Sequence, residues 1–424
     1  MLMRKTTTTR ALGWAGALTL VVAPVAAHAT NGYFSHGYGV KAQGIAGIGI
    51  ALPQDALAAA SNPGGIAFVP NEVEVGVSWF RPSRSTEIVG NGVPGANGQY
   101  SGNATKDFFI PEFGLNYTVA PAVTLNFAAF GNGGMNTDYA TNPFGAFGGK
   151  GSAGVDLSQL FVAGSIAWKA NPQNSLGASV IFAYQRFKAE GLGAFAPASI
   201  DPGALTNRGY DSSNGWGVRL GWTGQLSPEW TLGATWASKV STSNFNKYAG
   251  LFADGGSFDI PSNFGAGVAF RPTSEWTLAL DVQRILYSDV PAVGNPLSNL
   301  FLGRPLGSSG GPGFGWQNVT VAKIGAVYAP TKDWIFRGGY SYSQQPIPAD
   351  QTFFNILAPG VVQNHLTLGL TWKNGDNGEL SAAYTHAFRK TVDGSGSIPP
   401  SFGGGNANIQ LEENVFGVAY AWKL

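Results

Sequence analysis

His36, His365 and His386 are the imidazoles that could act as bases or metal ligands, and none stands at the HExxH or HxxE spacing that brings two ligands together. No GxSxG elbow is present to raise a nucleophilic serine. Gly44-Ile45-Ala46-Gly47-Ile48-Gly49 lacks the dinucleotide fingerprint and follows no strand of a βαβ unit. The chain has 0 Cys, which removes thiolate catalysis, Cys-ligated metals and disulfides. The reading is therefore of a protein that is not an enzyme and needs neither cofactor nor metal, with a Ser–His hydrolase as the residual alternative. What remains is charge: Arg219 and Arg337 occur singly among small and apolar residues, where a guanidinium could either hold an anionic ligand or pair with a carboxylate such as Asp281 or Glu112.

The elements that position these arginines are strands. Trp334, Phe336, Gly338, Tyr340 and Tyr342 share one parity, and Ile335, Arg337, Gly339, Ser341 and Ser343 the other. The same split sets Trp216, Val218, Leu220 and Trp222 against Gly217, Arg219, Gly221 and Thr223, and Leu366, Leu368, Leu370 and Trp372 against Thr367, Gly369 and Thr371. A soluble sandwich would carry Lys and Glu on its polar face; here that face is mostly Gly, Ser and Thr, which suits a lumen. Charged residues are 12% of the chain, about half the usual share of roughly a quarter. The mean hydropathy of +0.02 is too low for a helical membrane protein. The balance of 25 Lys+Arg against 24 Asp+Glu leaves no basic excess for nucleic acid. A transmembrane β-barrel reconciles these facts.

Three segments follow. Residues 1–29 read as a signal peptide: Arg4, Lys5 and Arg10, an apolar run from Ala11 to Val25, then Ala27-His28-Ala29. Residues 30–72 do not alternate and are rich in Gly and Ala, with a short helix expected near Asp55 to Ala60 stopped by Asn62-Pro63; Ile45, Ile48, Leu57, Ile66 and Phe68 favour a plug folded inside the barrel over a disordered tail. Residues 73–424 form the barrel. Short turns are expected at Ala120-Pro121, Asn171-Pro172, Ser227-Pro228, Arg271 to Ser274, Pro330-Thr331 and Asn374 to Asn377. Long Gly- and Ser-rich loops run from Pro82 to Asp107, Asn132 to Asp156, Lys188 to Asn214, Ser241 to Ile260, Ser288 to Trp316, Gln344 to Gly360 and Thr391 to Glu413. Between these breaks lie about fourteen antiparallel strands of roughly ten residues, enough to cross a membrane when tilted. The short turns then face the periplasm and the long loops the exterior. The last strand, from Val415, closes on the strand from Val73.

Asn31-Gly32-Tyr33-Phe34, the glycines Gly37, Gly39, Gly44 and Gly47, and Ser61-Asn62-Pro63-Gly64-Gly65 resemble the hatch of the FadL family of outer-membrane transporters of hydrophobic compounds. The strings from Tyr248 to Gly256, Gly313 to Asn318 and Trp334 to Tyr340 continue the resemblance in order along the mature chain. One departure is Gly64, where the family usually has Ala.

The resemblance implies an all-β, fourteen-stranded outer-membrane barrel around an N-terminal hatch, taking up long-chain fatty acids or other hydrophobic molecules passively. The lumen site would involve Asn31, Tyr33, Phe34, Asn62, Pro63, Arg219 and Arg337. Arg186 aligns with a basic segment placed near the ligand, although alternation groups it with outward Leu176, Val180 and Tyr184, so a bulge would have to re-aim it. Apolar loop residues, including Leu192, Phe195, Tyr248, Leu251, Phe252, Leu300 and Phe301, would capture cargo; packing of the loops on one another as a lid is the alternative. Phe130, Gly131, Gly133 and Gly134 fall where the family kinks a strand and opens the wall, so cargo would leave sideways. The partners expected are hydrophobic cargo, outer-membrane lipid including lipopolysaccharide, and the barrel-assembly machinery, with the protein a monomer. A general diffusion porin with a hydrated lumen is the competing function.

Overall fold

The computed structural model describes residues 31–375 and 378–424; the expected signal peptide, and part of the turn from Asn374 to Asn377, lie outside the described residues. The wall consists of β1 Glu72–Val89, β2 Phe108–Ala120, β3 Val123–Tyr139, β4 Ala153–Asn171, β5 Asn174–Glu190, β6 Asp211–Gln225, β7 Trp230–Ala237, β8 Asn263–Phe270, β9 Trp276–Ile285, β10 Val319–Tyr328, β11 Trp334–Ser343, β12 Asn364–Asn374, β13 Gly378–Val392 and β14 Asn406–Lys423. Each pairs antiparallel with its neighbours, and β14 pairs with β1 from Glu72↔Lys423 to Val89↔Asn406, closing a fourteen-stranded barrel. Two short strands, Gly98–Ser101 and Ser241–Thr242, extend β1 and β6 within loops. Among the described residues no helix is long and apolar enough to cross a membrane.

Alternation decides which side chains face lipid. Trp334, Phe336, Tyr340, Leu366, Leu368 and Trp372 are exposed on the outer surface, while Arg337, Ser341, Thr367 and Thr371 are buried on the inner one. Near the short turns, Trp230 stacks on Phe270 at 4.3 Å and Trp276 on Tyr328 at 4.4 Å, an aromatic girdle on the outward face.

The strands are longer than the expected ten residues on one side of the barrel. β1 continues to Val89, β3 to Tyr139, and β14 begins at Asn406 rather than Val415. The bilayer sets only a minimum length. Beyond it, inward Ile88, Ala407, Ile409 and Leu411 pack against the loops, so pairing continues into the extracellular cap.

Residues 31–71 contact inner faces from around the wall. A short helix, α1 Val40–Gln43, lies against β12, β13 and β14, and a 3-10 turn, Pro63–Phe68, against β5 and β6. The helix expected near Asp55 to Ala60 is only one turn of 3-10 helix, Ala58–Ala60. Asn62-Pro63 does not simply stop it: Asn62 caps the next turn by accepting from Gly64 N–H, with Pro63 in the first position, where its missing N–H leaves nothing unpaired.

Candidate functional site

Wall charges hold the bore segment through its backbone. Glu112 on β2 accepts from Val40 N–H at 3.0 Å, and Asp281 on β9 from Gly49 and Ile50 N–H at 2.9 and 3.0 Å. Lys323 on β10 donates to His36 O and Gly47 O, both at 3.0 Å. Arg219 on β6 donates to the carbonyls of Ala60 and Ser61, leaving its Nε unpartnered among the described residues. Arg337 on β11 donates to Gln54 Oε1 and Thr371 Oγ1, both at 2.6 Å. Lys41 pairs with Glu74 and Glu379. Neither arginine forms the ion pair with Asp281 or Glu112 that was the alternative: the segment has too little regular structure to satisfy its own N–H and C=O groups, and the wall charges do so instead.

Arg186 corrects the expectation of a third lumen cation. The β4–β5 register runs unbroken from Gly154↔Glu190 to Lys169↔Ser175, so no bulge re-aims it. Its guanidinium lies outside the wall, 3.7 Å from the centre of the Tyr210 ring, whose hydroxyl donates to Asp156 at 2.6 Å.

The strand break lies where the glycines predict one. The β2–β3 ladder ends at Phe113↔Ala129, whereas β2 continues its pairing with β1 up to Phe80↔Phe108. Above Ala129, β3 pairs only with β4, and the register slips between Gly131 and Gly133 so that Asn132 is bulged. Phe130 is buried against Tyr38 and Phe161. The unpaired edge is taken by the N-terminal residues: Ser35 N–H donates to Asn132 O at 2.8 Å and Gly134 N–H to Tyr33 O at 2.9 Å. Gly133 must lack a side chain, because a Cβ would fall 1.9 Å from Tyr33 O. The break is bridged higher up by Gly102, whose N–H donates to Arg84 O and whose carbonyl accepts from Asp138 N–H.

Two apolar cavities flank the path to this break. The cap cavity is lined by Leu192, Phe195, Leu251, Phe252, Phe314, Phe354 and Leu357, among others. The second lies beside the break between Phe80, Arg84, Met135, Asn136, Trp316, Ala358, Leu411 and Glu413. The loop segments 313–316 and 354–360 contribute to both, and Trp316 Nε1 donates to Asn355 Oδ1 at 2.6 Å where they meet. A third, polar cavity is lined by Phe34, His36, Arg219, Asp281 and Lys323, among others.

These placements sort the remaining candidates. Asn31, Tyr33 and Phe34 gather at a ring cluster in which Tyr33 lies 5.2 Å from Tyr287 and 5.8 Å from Trp316, and Tyr287 hydroxyl donates to Asn31 O. Asn62 and Pro63 sit against β5 and β6 and line none of the three cavities. Leu192, Phe195, Leu251 and Phe252 come together in the cap cavity, but Tyr248 does not line it: its hydroxyl donates to Gly209 O and accepts from Ala189 N–H, and burial pushes its phenol up. Leu300 packs on the core and Phe301 is 56% exposed, so neither lines the cap cavity, to which their loop contributes Leu306 and Phe314 instead. The loops form a packed lid enclosing a cavity rather than an open groove, because their apolar residues satisfy one another; Phe195, for example, lies 5.2 Å from Phe354 and 5.5 Å from Phe402.

Sequence reasoning missed Trp316, Met135, Phe354 and Glu413. Glu413 had the inward parity of Val415 and Ala419 but was assigned to a loop. Ser341 Oγ lies 3.2 Å from His365 Nδ1, deep under the bore segment, and His386 pairs with Asn414 at 2.9 Å.

The sequence profile described as outer membrane protein transport protein (OMPP1/FadL/TodX) matches residues 25–421. A long-chain fatty acid transport protein of Escherichia coli O6:H1 is 30% identical over 91 residues, 21% of this chain, and the match spans only 20% of that relative's length. Among solved structures, a Pseudomonas aeruginosa FadL homologue has a TM-score of 0.71 at 17% identity, and the P. putida toluene transporter TodX 0.67 at 18%; each comparison covers 92% of this chain and 99% of the other. At such identities these structures speak to the fold alone, and the fold is that of the barrel described. With the profile spanning nearly the whole described chain, the protein belongs to the OMPP1/FadL/TodX family of outer-membrane β-barrel channels for hydrophobic substrates.

Proposed function

We propose that the chain is a passive channel that takes hydrophobic small molecules into the cap cavity, passes them behind Trp316 to the cavity beside β3, and releases them sideways through the break between β2 and β3. The observation that carries this reading is the pair of apolar cavities sharing two loop segments, the inner one beside the stretch of wall where strand pairing stops. A hydrocarbon gains about 0.8 kcal/mol per buried CH₂, so a route through apolar cavities is favoured over a hydrated pore. Residues 33–35 bar the break by occupying the β3 edge, and their release is the gating step. The bore segment acts as a hatch, which argues against a diffusion porin.

Uptake of a tritiated alkane into outer-membrane vesicles tests the route. Phe195→Asp places a charge in the cap cavity and is expected to slow uptake at least tenfold with the barrel intact; unchanged uptake would refute the proposed path. In planar bilayers the intact protein should conduct poorly, and large steady currents would favour the porin.

A second reading, long-chain fatty acids as cargo, is favoured by the unpartnered Arg219 Nε in the polar cavity and by the fatty acid transporter among the relatives. Arg219→Gln should then weaken fatty acid uptake while leaving alkane uptake unchanged.

A further inference from the structure

A buried chain of side-chain amides joins the cap to the wall break. In the connection between β7 and β8, Phe258 O accepts from Gln185 Nε2 at 2.9 Å. Gln185 Oε1 accepts from Gln159 Nε2 at 2.8 Å, and Gln159 Oε1 from Asn132 Nδ2 at 2.9 Å. Asn132 Oδ1 in turn accepts from the Tyr38 hydroxyl of the bore segment at 2.9 Å. Strand register lines these groups up: Gln185 on β5 stands opposite Gln159 on β4, and Gln159 opposite Gly133 on β3, beside which Asn132 is bulged. Because Gly133 has no side chain, Asn132 supplies the one that meets Gln159. Both glutamines are 0% exposed and Asn132 is 1% exposed, so each link is made away from the surface.

The cap end sets the direction of the chain. A carbonyl can only accept, and Thr242 Oγ1, 3.2 Å from Gln185 Nε2, uses its own proton on Phe258 O at 3.0 Å. Gln185 must therefore turn its NH₂ to the cap and its oxygen to Gln159, and each amide orients the next. Turning any one of them sets oxygen against oxygen or nitrogen against nitrogen, which is costly at buried positions. Both ends reach the proposed route. The Phe258 ring lies 4.9 Å from that of Phe252, which lines the cap cavity, while Asn132 O accepts from Ser35 N–H where the bore segment covers the β3 edge. We propose that Gln159 and Gln185 are positioning residues for transport: their oriented amides tie the bulged Asn132 to the cap connection, so that cargo displacing Phe252 and Phe258 loosens residues 33–35 at the β3 edge. The proposal rests on the channel reading above and names how its gate is regulated.

The test is amide hydrogen exchange, read by mass spectrometry, on the full-length protein in lipid nanodiscs with and without decane. In the wild type, decane is expected to speed exchange at the Ser35 and Gly134 amides roughly five- to tenfold, as loss of one neutral hydrogen bond predicts. Gln185→Met keeps the side-chain length and removes its hydrogen bonds. Without decane it should speed the same amides by that factor, although Gln185 lies two strands from β3, and decane should then add less than about twofold. Gln159→Met should behave alike. Links in series break once, so the double variant should match either single one within about twofold, whereas two independent structural defects would multiply. Gln185→Asn, too short to reach both neighbours, decides if a Met variant fails the heat-shift gel assay for a folded barrel. Exchange at Ser35 and Gly134 that decane leaves unmoved in the wild type, that Gln185→Met leaves unmoved, or that rises in the double variant by the product of the single effects would each overturn the proposal. Tritiated decane uptake separates the two readings: uptake by the wild type alongside any of these results overturns the amide chain alone, and no uptake overturns the channel reading as well.

Discussion

The side-chain amide of Asn62 donates to Ile50 O at 2.7 Å, Trp222 O at 2.8 Å and Thr223 Oγ1 at 3.1 Å, while its oxygen accepts from Gly64 N–H. Asn62→Ala strips all four contacts at a buried position, and each group left unpaired costs about 1–3 kcal/mol. Amide hydrogen exchange in residues 50–66 is expected to accelerate at least tenfold, with the wall strands unchanged. Arg186 makes the opposite prediction. Its guanidinium is outside the wall on Tyr210, so Arg186→Ala should leave ligand binding within twofold of the wild type, as measured in nanodiscs. Strict alternation already placed Arg186 outside; the family alignment argued otherwise and was the weaker guide. What alternation could not reveal is the partner of an inward cation, since Arg219 and Arg337 meet residues more than a hundred positions away whose backbone follows no period.

At the scale of elements, the wall and the bore segment are fitted by removing side chains where they touch. A Cβ on Gly177 in β5 would fall 2.2 Å from the Pro63 carbonyl carbon, and one on Gly369 in β12 would fall 2.9 Å from Gly44 Cα. Both meet backbone, which has little room to yield. Gly177→Val should therefore displace the segment and raise single-channel conductance, while the barrel still shows its heat-dependent gel shift. Gly133→Val should free residues 33–35 from the β3 edge, read as loss of protection at the Ser35 and Gly134 amides. The strands, their order and most short turns were legible because two-residue periodicity survives at every strand facing lipid. The upper limits of β1, β3 and β14 were not, because there the strands leave lipid for the cap and the outward face no longer needs to be apolar. That is also why Glu413, beyond the expected start of the last strand, escaped notice.

Across the whole molecule, buried charge is concentrated where the bore segment meets the wall, and apolar surface is divided between the lipid face and the cap. Deleting residues 31–66 removes the partners of Glu112, Asp281, Lys323 and Arg219 together, leaving the inner wall polar and hydrated. Ion conductance should rise severalfold over the intact protein, and a truncated barrel that remains closed to ions would refute the view that this segment occludes it.

The cap is a single hydrophobic core built jointly by Phe144, Phe195, Phe252, Leu297, Phe353 and Ile398, each from a different connection between wall strands. The connections are therefore coupled in packing: one transplanted alone from another channel would leave holes and clashes in five others. Chimeras meant to transfer cargo preference should exchange all the connections as one unit.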